Sequence, residues 1–331
     1  MDDTLWITEA DVTSLIDMRG AIAALEHGLA QEAQGFAVNM VKTHATWGNG
    51  DLHAIGATFA GDGLVGTKTW AHTEGGAAPV LILFDSHNGS LKAVIEAFAL
   101  GQLRTAGISG LATRWLAAED ASDMALFGVG KQAMAQLAAV AAVRDLKRVR
   151  VFSRSRERAA KFAQSVEAEL GVRAAPFDSV PAAVEGASII TLVTRATEPF
   201  LSSAMVARGA HINAIGAVVP ERIEFEPKML ARCAQVVADN IAQVRNLSSE
   251  FTAYYGSDER AWAAVTPLSA VIADKMKRPA GADLTMFKAM GMGISDLSLG
   301  VEVLRMADEK GLGRRIPHPV RAKPKLRASK S

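Results

Sequence analysis

The 331-residue chain carries 36 basic and 35 acidic side chains for a formal net charge of +1, and is 49% hydrophobic and 21% charged. So balanced a charge supplies no field for holding nucleic acid or an anionic membrane, and the length suffices for two domains. The lone Cys233 excludes an intrachain disulfide and a thiolate zinc cluster, and no uncharged apolar run reaches membrane-spanning length, so the expected location is the cytoplasm.

Taken in order, Leu5 to Ile7 reads as a short strand, with Thr8 and Asp11 as caps before helical segments over 9–16 and 18–34. The period then changes. Val41 to Trp47, Leu52 to Ala60, Leu64 to Trp70, Val80 to Phe84 and Leu91 to Glu96 are apolar or alternating runs separated by Gly- and Asn-rich turns. They predict an antiparallel, meander-like sheet. Leu100 to Leu116 follows as a long apolar-faced helix.

That helix leads into the stretch around which the chain is organised. Met124 to Phe127 forms a short apolar strand, and Gly128, Gly130 and Ala133 occupy the small positions of a G-x-G-x-x-A fingerprint opening a helix. A sharp turn, a close backbone approach to a pyrophosphate and tight helix packing each require a small residue there, and the helix N-terminus offers free N–H groups to phosphate. The next strand, Arg148 to Ser153, does not end in the acidic residue that takes a ribose 2′-hydroxyl. It ends Ser153-Arg154-Ser155-Arg156, a hydroxyl and guanidinium groups suited to a 2′-phosphate, which predicts NADP(H) in preference to NAD(H).

A helix over Arg156 to Leu170, apolar strands at Ala187 to Val193, Ala210 to Ile215 and Ala234 to Ala238, and helical stretches at 179–185, 202–208 and 227–232 complete a parallel-sheet pattern. The expected class is α/β, with a Rossmann-like doubly wound sheet over 118–284. Asp296 to Lys310 reads as a final helix returning to the first domain. Arg321 to Ser331 reads as a solvated basic tail.

Two cations stand among apolar or small neighbours: Lys68 in Gly-Thr-Lys-Thr-Trp and Arg104 in Gly-Gln-Leu-Arg-Thr-Ala-Gly. Each needs a partner, and a substrate carboxylate would serve. Together with Phe-Gly-Val-Gly-Lys-Gln-Ala, His211-Ile-Asn-Ala-Ile-Gly216 and Asp283-Leu-Thr-Met-Phe-Lys-Ala-Met-Gly291, these motifs make residues 35–310 resemble the ornithine cyclodeaminase/mu-crystallin family. The resemblance implies a homodimer with an α+β substrate and dimerisation domain, residues 1–117 with 285–331, beside the NAD(P)-binding Rossmann domain. It implies that Lys42, Lys68 and Arg104 bind a substrate carboxylate, helped by Arg222 and Met290. It puts Gly128, Gly130, Lys131 and Gln132 at the pyrophosphate, Ser153 and Arg154 at the ribose, and Thr194, Ile215, Gly216, Ala217 and Lys288 beside the cofactor.

One departure narrows the chemistry. Where cyclodeaminases carry an acid for proton transfer, Gly216-Ala-Val-Val-Pro-Glu-Arg222 has Val218, while Glu221 and Glu224 are expected on a loop rim. His44, His53 and His72 on the substrate-side strands are candidate proton donors, with His72 preferred as a catalytic residue beside Lys68. They lack metal-ligand spacing, so no metal is expected. The expected activity is NADPH-dependent reduction of a C=N bond next to a carboxylate, or the reverse amino-acid oxidation, on a small-molecule substrate. The alternatives are a cyclodeaminase-type lyase and a catalytically silent NADPH-binding protein.

Overall fold

In the computed structural model, which describes residues 3–327, alternating sequence becomes a mixed sheet and apolar runs become a parallel one. Among the described residues the mixed sheet has nine strands. Its path is Arg314–Ile316, Thr4–Ile7, Leu91–Glu96, Val80–Asp85, Leu64–Thr73, Gly50–Phe59 and Ala37–Asn39, with Thr43–Trp47 and Gly76–Ala77 pairing off it. The pairings are antiparallel except that of Thr4–Ile7 with Leu91–Glu96. The strands beyond the expected meander, Ala37–Asn39, Gly76–Ala77 and Arg314–Ile316, are too short to display a period.

Ala57, Phe59, Leu81 and Leu83 on the inner face of this sheet join one core with the helices Met18–Ala33, Phe98–Leu116 and Gly293–Lys310. The last helix begins three residues before the expected Asp296, and its start is pinned: a Cβ on Gly293 would lie 1.9 Å from the Gly56 carbonyl oxygen. That contact carries Asp296, in the first turn, up to the strand holding Lys68.

The second sheet runs Ala174–Phe177, Arg148–Phe152, Asp123–Phe127, Ile189–Leu192, His211–Ala214, Leu284–Lys288, Cys233–Ala238 and Val265–Pro267, every pairing parallel. Strand order reverses between Asp123–Phe127 and Ile189–Leu192, the place where open α/β sheets bind ligands. Leu284–Lys288 is a correction. Its five residues end in lysine and read as no apolar run, yet it lies in the sheet interior and carries that sheet past the boundary expected at 284. The stretches expected as helices at 202–208 and 227–232 are 3₁₀ segments, Ser203–Met205 and Pro227–Arg232, too short to sustain α-helix nucleation. Arg321 to Arg327 is exposed, and the rest of the expected tail lies outside the described residues. Among those described, no helix is long and apolar enough to cross a membrane.

Candidate active site

At the switch point the chain leaves Asp123–Phe127 through Gly128. Its φ of +105°, and the 2.6 Å between an added Cβ and the Val193 carbonyl oxygen, admit only glycine. A Cβ on Gly130 would meet nothing within 4 Å, so this backbone borders open space. With Ser153, Arg154, Arg158 and Thr194 the two glycines line a cleft of about 740 Å³. Lys131 is exposed and Gln132 half-buried where the loop enters the helix Ala133–Ala141, whose Ala133 is fully buried. Open backbone and a helix N-terminus facing one cleft fit a pyrophosphate. Arg156 pairs instead with Asp178, whereas Arg154 has no carboxylate partner among the described residues and remains free at the cleft.

The ends of Ile189–Leu192 and His211–Ala214 supply Thr194, Ile215, Gly216 and Ala217. Their donors are already engaged. Glu224 accepts from the Thr194 N–H and hydroxyl, both at 2.7 Å, and from the Gly216 and Ala217 N–H groups at 2.9 and 3.1 Å. The Ile215 N–H is held by the Leu192 carbonyl. The loop-rim expectation for Glu224 is therefore corrected: it is fully buried, and burial raises its carboxyl pKa, opposed by Lys288 and the bonds from Thr194 and Gly216. The expectation for Lys288 is corrected as well. Its fully buried ammonium donates to the Ala217 carbonyl at 2.6 Å and sits 3.7 Å from Glu250, which in turn accepts the Glu224 N–H and the Ser248 hydroxyl. This network braces the cleft floor from inside.

The substrate-side cations do converge. Lys68 and Arg104 meet on one oxygen of Asp296: the Lys68 ammonium donates to Oδ1, and the Arg104 Nε lies 3.1 Å from the same atom. The arginine contact is close but misaligned for a hydrogen bond, and Asp296 Oδ2 is buried without a donor. Desolvation lowers the Lys68 pKa to about 8, with Asp296 opposing and the Arg104 and Lys42 charges adding to the fall. The Arg104 side chain is 17% exposed, and its terminal nitrogens make no hydrogen bond among the described residues. Lys42, before the exposed strand Thr43–Trp47, has its pKa lowered by desolvation and by Arg104.

The two halves touch at the segment after Leu284–Lys288. A Cβ on Gly291 would come within 2.9 Å of Arg104 Nη1. The N–H groups of Met290 and Gly291 both donate to Asp239 at 2.8 Å, and burial raises the Asp239 pKa. Met290 itself is buried. The cationic cluster thus adjoins the C-terminal ends of the parallel strands.

His44, His53 and Trp70 stack across three neighbouring strands, with centroids 5.9 and 4.7 Å apart, and the Lys68 ammonium lies 5.0 Å from the Trp70 ring. Burial, then the Lys42 charge, lowers the His53 pKa. The preferred donor His72 is not brought to the cluster. It is exposed at the outer end of Leu64–Thr73, roughly 13 Å along the strand from Lys68 at ~3.3 Å per residue. Arg222 sits half-buried in a turn closed by its N–H to the Val219 carbonyl, with no ion pair to the cluster among the described residues. Asp296, the partner shared by both cations, reads in the sequence only as a helix-start acid, and nothing local signals its second role.

A family model described as ornithine cyclodeaminase/mu-crystallin family matches residues 2–311. A Bacillus cereus delta(1)-pyrroline-2-carboxylate reductase is 29% identical, covering 72% of this chain and 73% of its own. The Rattus norvegicus ketimine reductase mu-crystallin is 34% identical over 66% of each chain. The solved structure of an archaeal alanine dehydrogenase dimer with bound NAD superposes with a TM-score of 0.86 at 28% identity, covering 95% of this chain and 99% of that one.

Proposed function

The chain belongs to the ornithine cyclodeaminase/mu-crystallin family, and on that premise we propose that it is an oxidoreductase that uses NADPH to reduce a C=N bond adjacent to a carboxylate. The substrate class is a cyclic ketimine or imino acid, with amino-acid oxidation as the reverse reaction. The observation that carries this reading is the pairing of Lys68 and Arg104 on a single Asp296 oxygen, with Arg104 against the Gly291 that follows one parallel strand, in a chain whose glycine turn on the same sheet lines a cleft of about 740 Å³. Two cations with one shared anion leave a positive charge for a substrate carboxylate, and the free fork of Arg104 suits its two oxygens.

Gly128, Gly130, Lys131 and Gln132 would hold the pyrophosphate and Ser153 with Arg154 the 2′-phosphate, and the dihydronicotinamide supplies the hydride. The chain's own work is positional. Arg104, Lys68 and Lys42 fix the carboxylate so that the imine carbon faces the cleft, while the Glu224 network keeps the floor from shifting. A lyase is disfavoured because Val218 cannot move a proton and Glu224, the buried acid close in sequence, is committed to backbone N–H groups. A second copy is assigned to the exposed apolar strip that includes Val38, Met40, Val41, Trp47 and Leu52.

The test is loss of NADPH absorbance with cyclic ketimine carboxylates of different ring size, with NADH in parallel. Turnover preferring NADPH is expected. Binding of NADPH without turnover on any imine or 2-oxo acid with ammonia would replace the reductase with a binding role.

A further inference from the structure

A cavity of about 590 Å³ lies at the other end of the parallel sheet from the glycine turn. Its walls are residues 114, 115 and 117–119 ahead of the strand Asp123–Phe127, Arg144 ahead of Arg148–Phe152, and 277–281 ahead of Leu284–Lys288. The cleft at the glycine turn is lined instead by residues that follow strands, Gly128 and Ser153 among them. Small-molecule sites span about 300–1,000 Å³, so this volume admits more than a bare ion. We propose that the cavity binds a small molecule carrying two negative charges on oxygen, as a phosphoryl group or a dicarboxylate, through the guanidiniums of Arg144 and Arg278.

Four cations line the cavity, and two of them are already paired. Arg114 meets Glu26 at 2.7 Å, and Lys277 meets Glu119, the one acid in the lining, at 3.2 Å. Arg144 and Arg278 are half-buried and make no ion pair among the described residues. Burial lowers the pKa of both, with Glu119 opposing at Arg144 and Asp283 at Arg278. Asp283 is itself held by Arg232 through two hydrogen bonds, at 3.0 and 2.8 Å, so it is not free to neutralise Arg278.

The fold fixes both guanidiniums on the C-terminal end of the helix Phe98–Leu116. Arg144 donates to the Thr113 and Arg114 carbonyls at 3.1 Å, to Ala117 at 3.0 Å and, through Nε, to Ala118 at 2.9 Å. Arg278 donates to the Leu116 carbonyl at 3.2 Å, and to the Ala282 carbonyl and the Thr285 hydroxyl at 2.9 Å. A helix end supplies roughly half a negative charge, which two full positive charges exceed. Capping therefore explains where the arginines are held, and it leaves positive charge uncompensated at the cavity. Their donors are not exhausted either. A guanidinium has five N–H groups, and Arg278 Nε and one N–H of Arg144 Nη1 have no acceptor among the described residues. A dianion accepting from both arginines supplies the missing charge and the missing acceptors together.

The experiment is calorimetric titration of the full chain with inorganic phosphate and, separately, with succinate, at an ionic strength held constant with chloride. Saturable one-to-one binding of at least one probe is expected, and the probe that binds more tightly separates phosphoryl from dicarboxylate recognition. Arg278→Lys keeps the charge but loses the planar fork, and should weaken binding about tenfold. Ala280→Asp, on an exposed wall residue, leaves both arginines in place and supplies them with an internal carboxylate, so it should abolish binding even if Arg278→Lys fails to fold. Binding that survives Ala280→Asp but is lost in Arg154→Ala or Arg104→Ala would place the anion at the ribose end of the cofactor cleft or at the substrate-side cations, and would overturn the proposal. The absence of saturable heat from both probes up to about 10 mM would overturn it as well.

Discussion

Two clusters of buried charge stand near the C-terminal ends of the parallel strands and are built on opposite principles. Around Glu224, Glu250 and Lys288, carboxylates and ammonium are bonded to backbone groups or to each other, and none of these three side chains has an unpartnered buried polar atom. Around Lys68, Arg104 and Asp296, one carboxylate oxygen is shared by two cations while the other, and the Arg104 Nε, lack hydrogen bonds. Satisfied polar groups rigidify a fold, whereas buried polar groups left unpaired mark a place where a ligand or a proton completes the set. Charge alone does not separate a brace from a reaction site; hydrogen-bond saturation does.

The comparison can be broken most directly at the brace. Lys288→Met strands two buried carboxylates, so the denaturant midpoint should report a loss of about 3–5 kcal/mol, with KM for the imine near its original value in the enzyme that folds. A small stability loss with failed NADPH binding would return Lys288 to the cofactor site. On the reaction side, Arg104→Ala should cost about 10²-fold in kcat/KM, while NADPH affinity and thermal midpoint change little. A large drop in stability there would make Arg104 part of a brace too.

A fourth acid sharpens the contrast. Glu32, which accepts from Asn39 and is near Asp239, has its pKa raised to about 7, chiefly by burial. The folded chain keeps this proton from about pH 4.5 to 7 while the unfolded chain loses it, so this group's contribution to stability falls as pH rises through that window. Glu32→Gln should flatten the fall by about 2 kcal/mol, read from denaturant midpoints at about pH 5 and pH 8. The smallest expected effect lies at the ribose end of the cleft. Arg154→Ala should weaken NADPH about tenfold and leave NADH unchanged, measured by fluorescence titration; equal loss of both would detach Arg154 from the 2′-phosphate.

Much of the frame was legible in the sequence. Alternation announced the mixed sheet, apolar runs the parallel one, and Gly128, Gly130 and Ala133 the turn at its switch point, because period and glycine sterics are local properties. Lys68 and Arg104 stood out because a cation among apolar or small neighbours must find a partner. The partner could not be named. Asp296 lies 228 positions from Lys68 and meets it only after the helix that begins at Gly293 docks on Gly56. For the same reason Glu224 and Lys288 were placed at the rim and at the cofactor: a charged side chain announces its need for a partner, and only tertiary packing decides whether that partner is the fold's own backbone or a ligand.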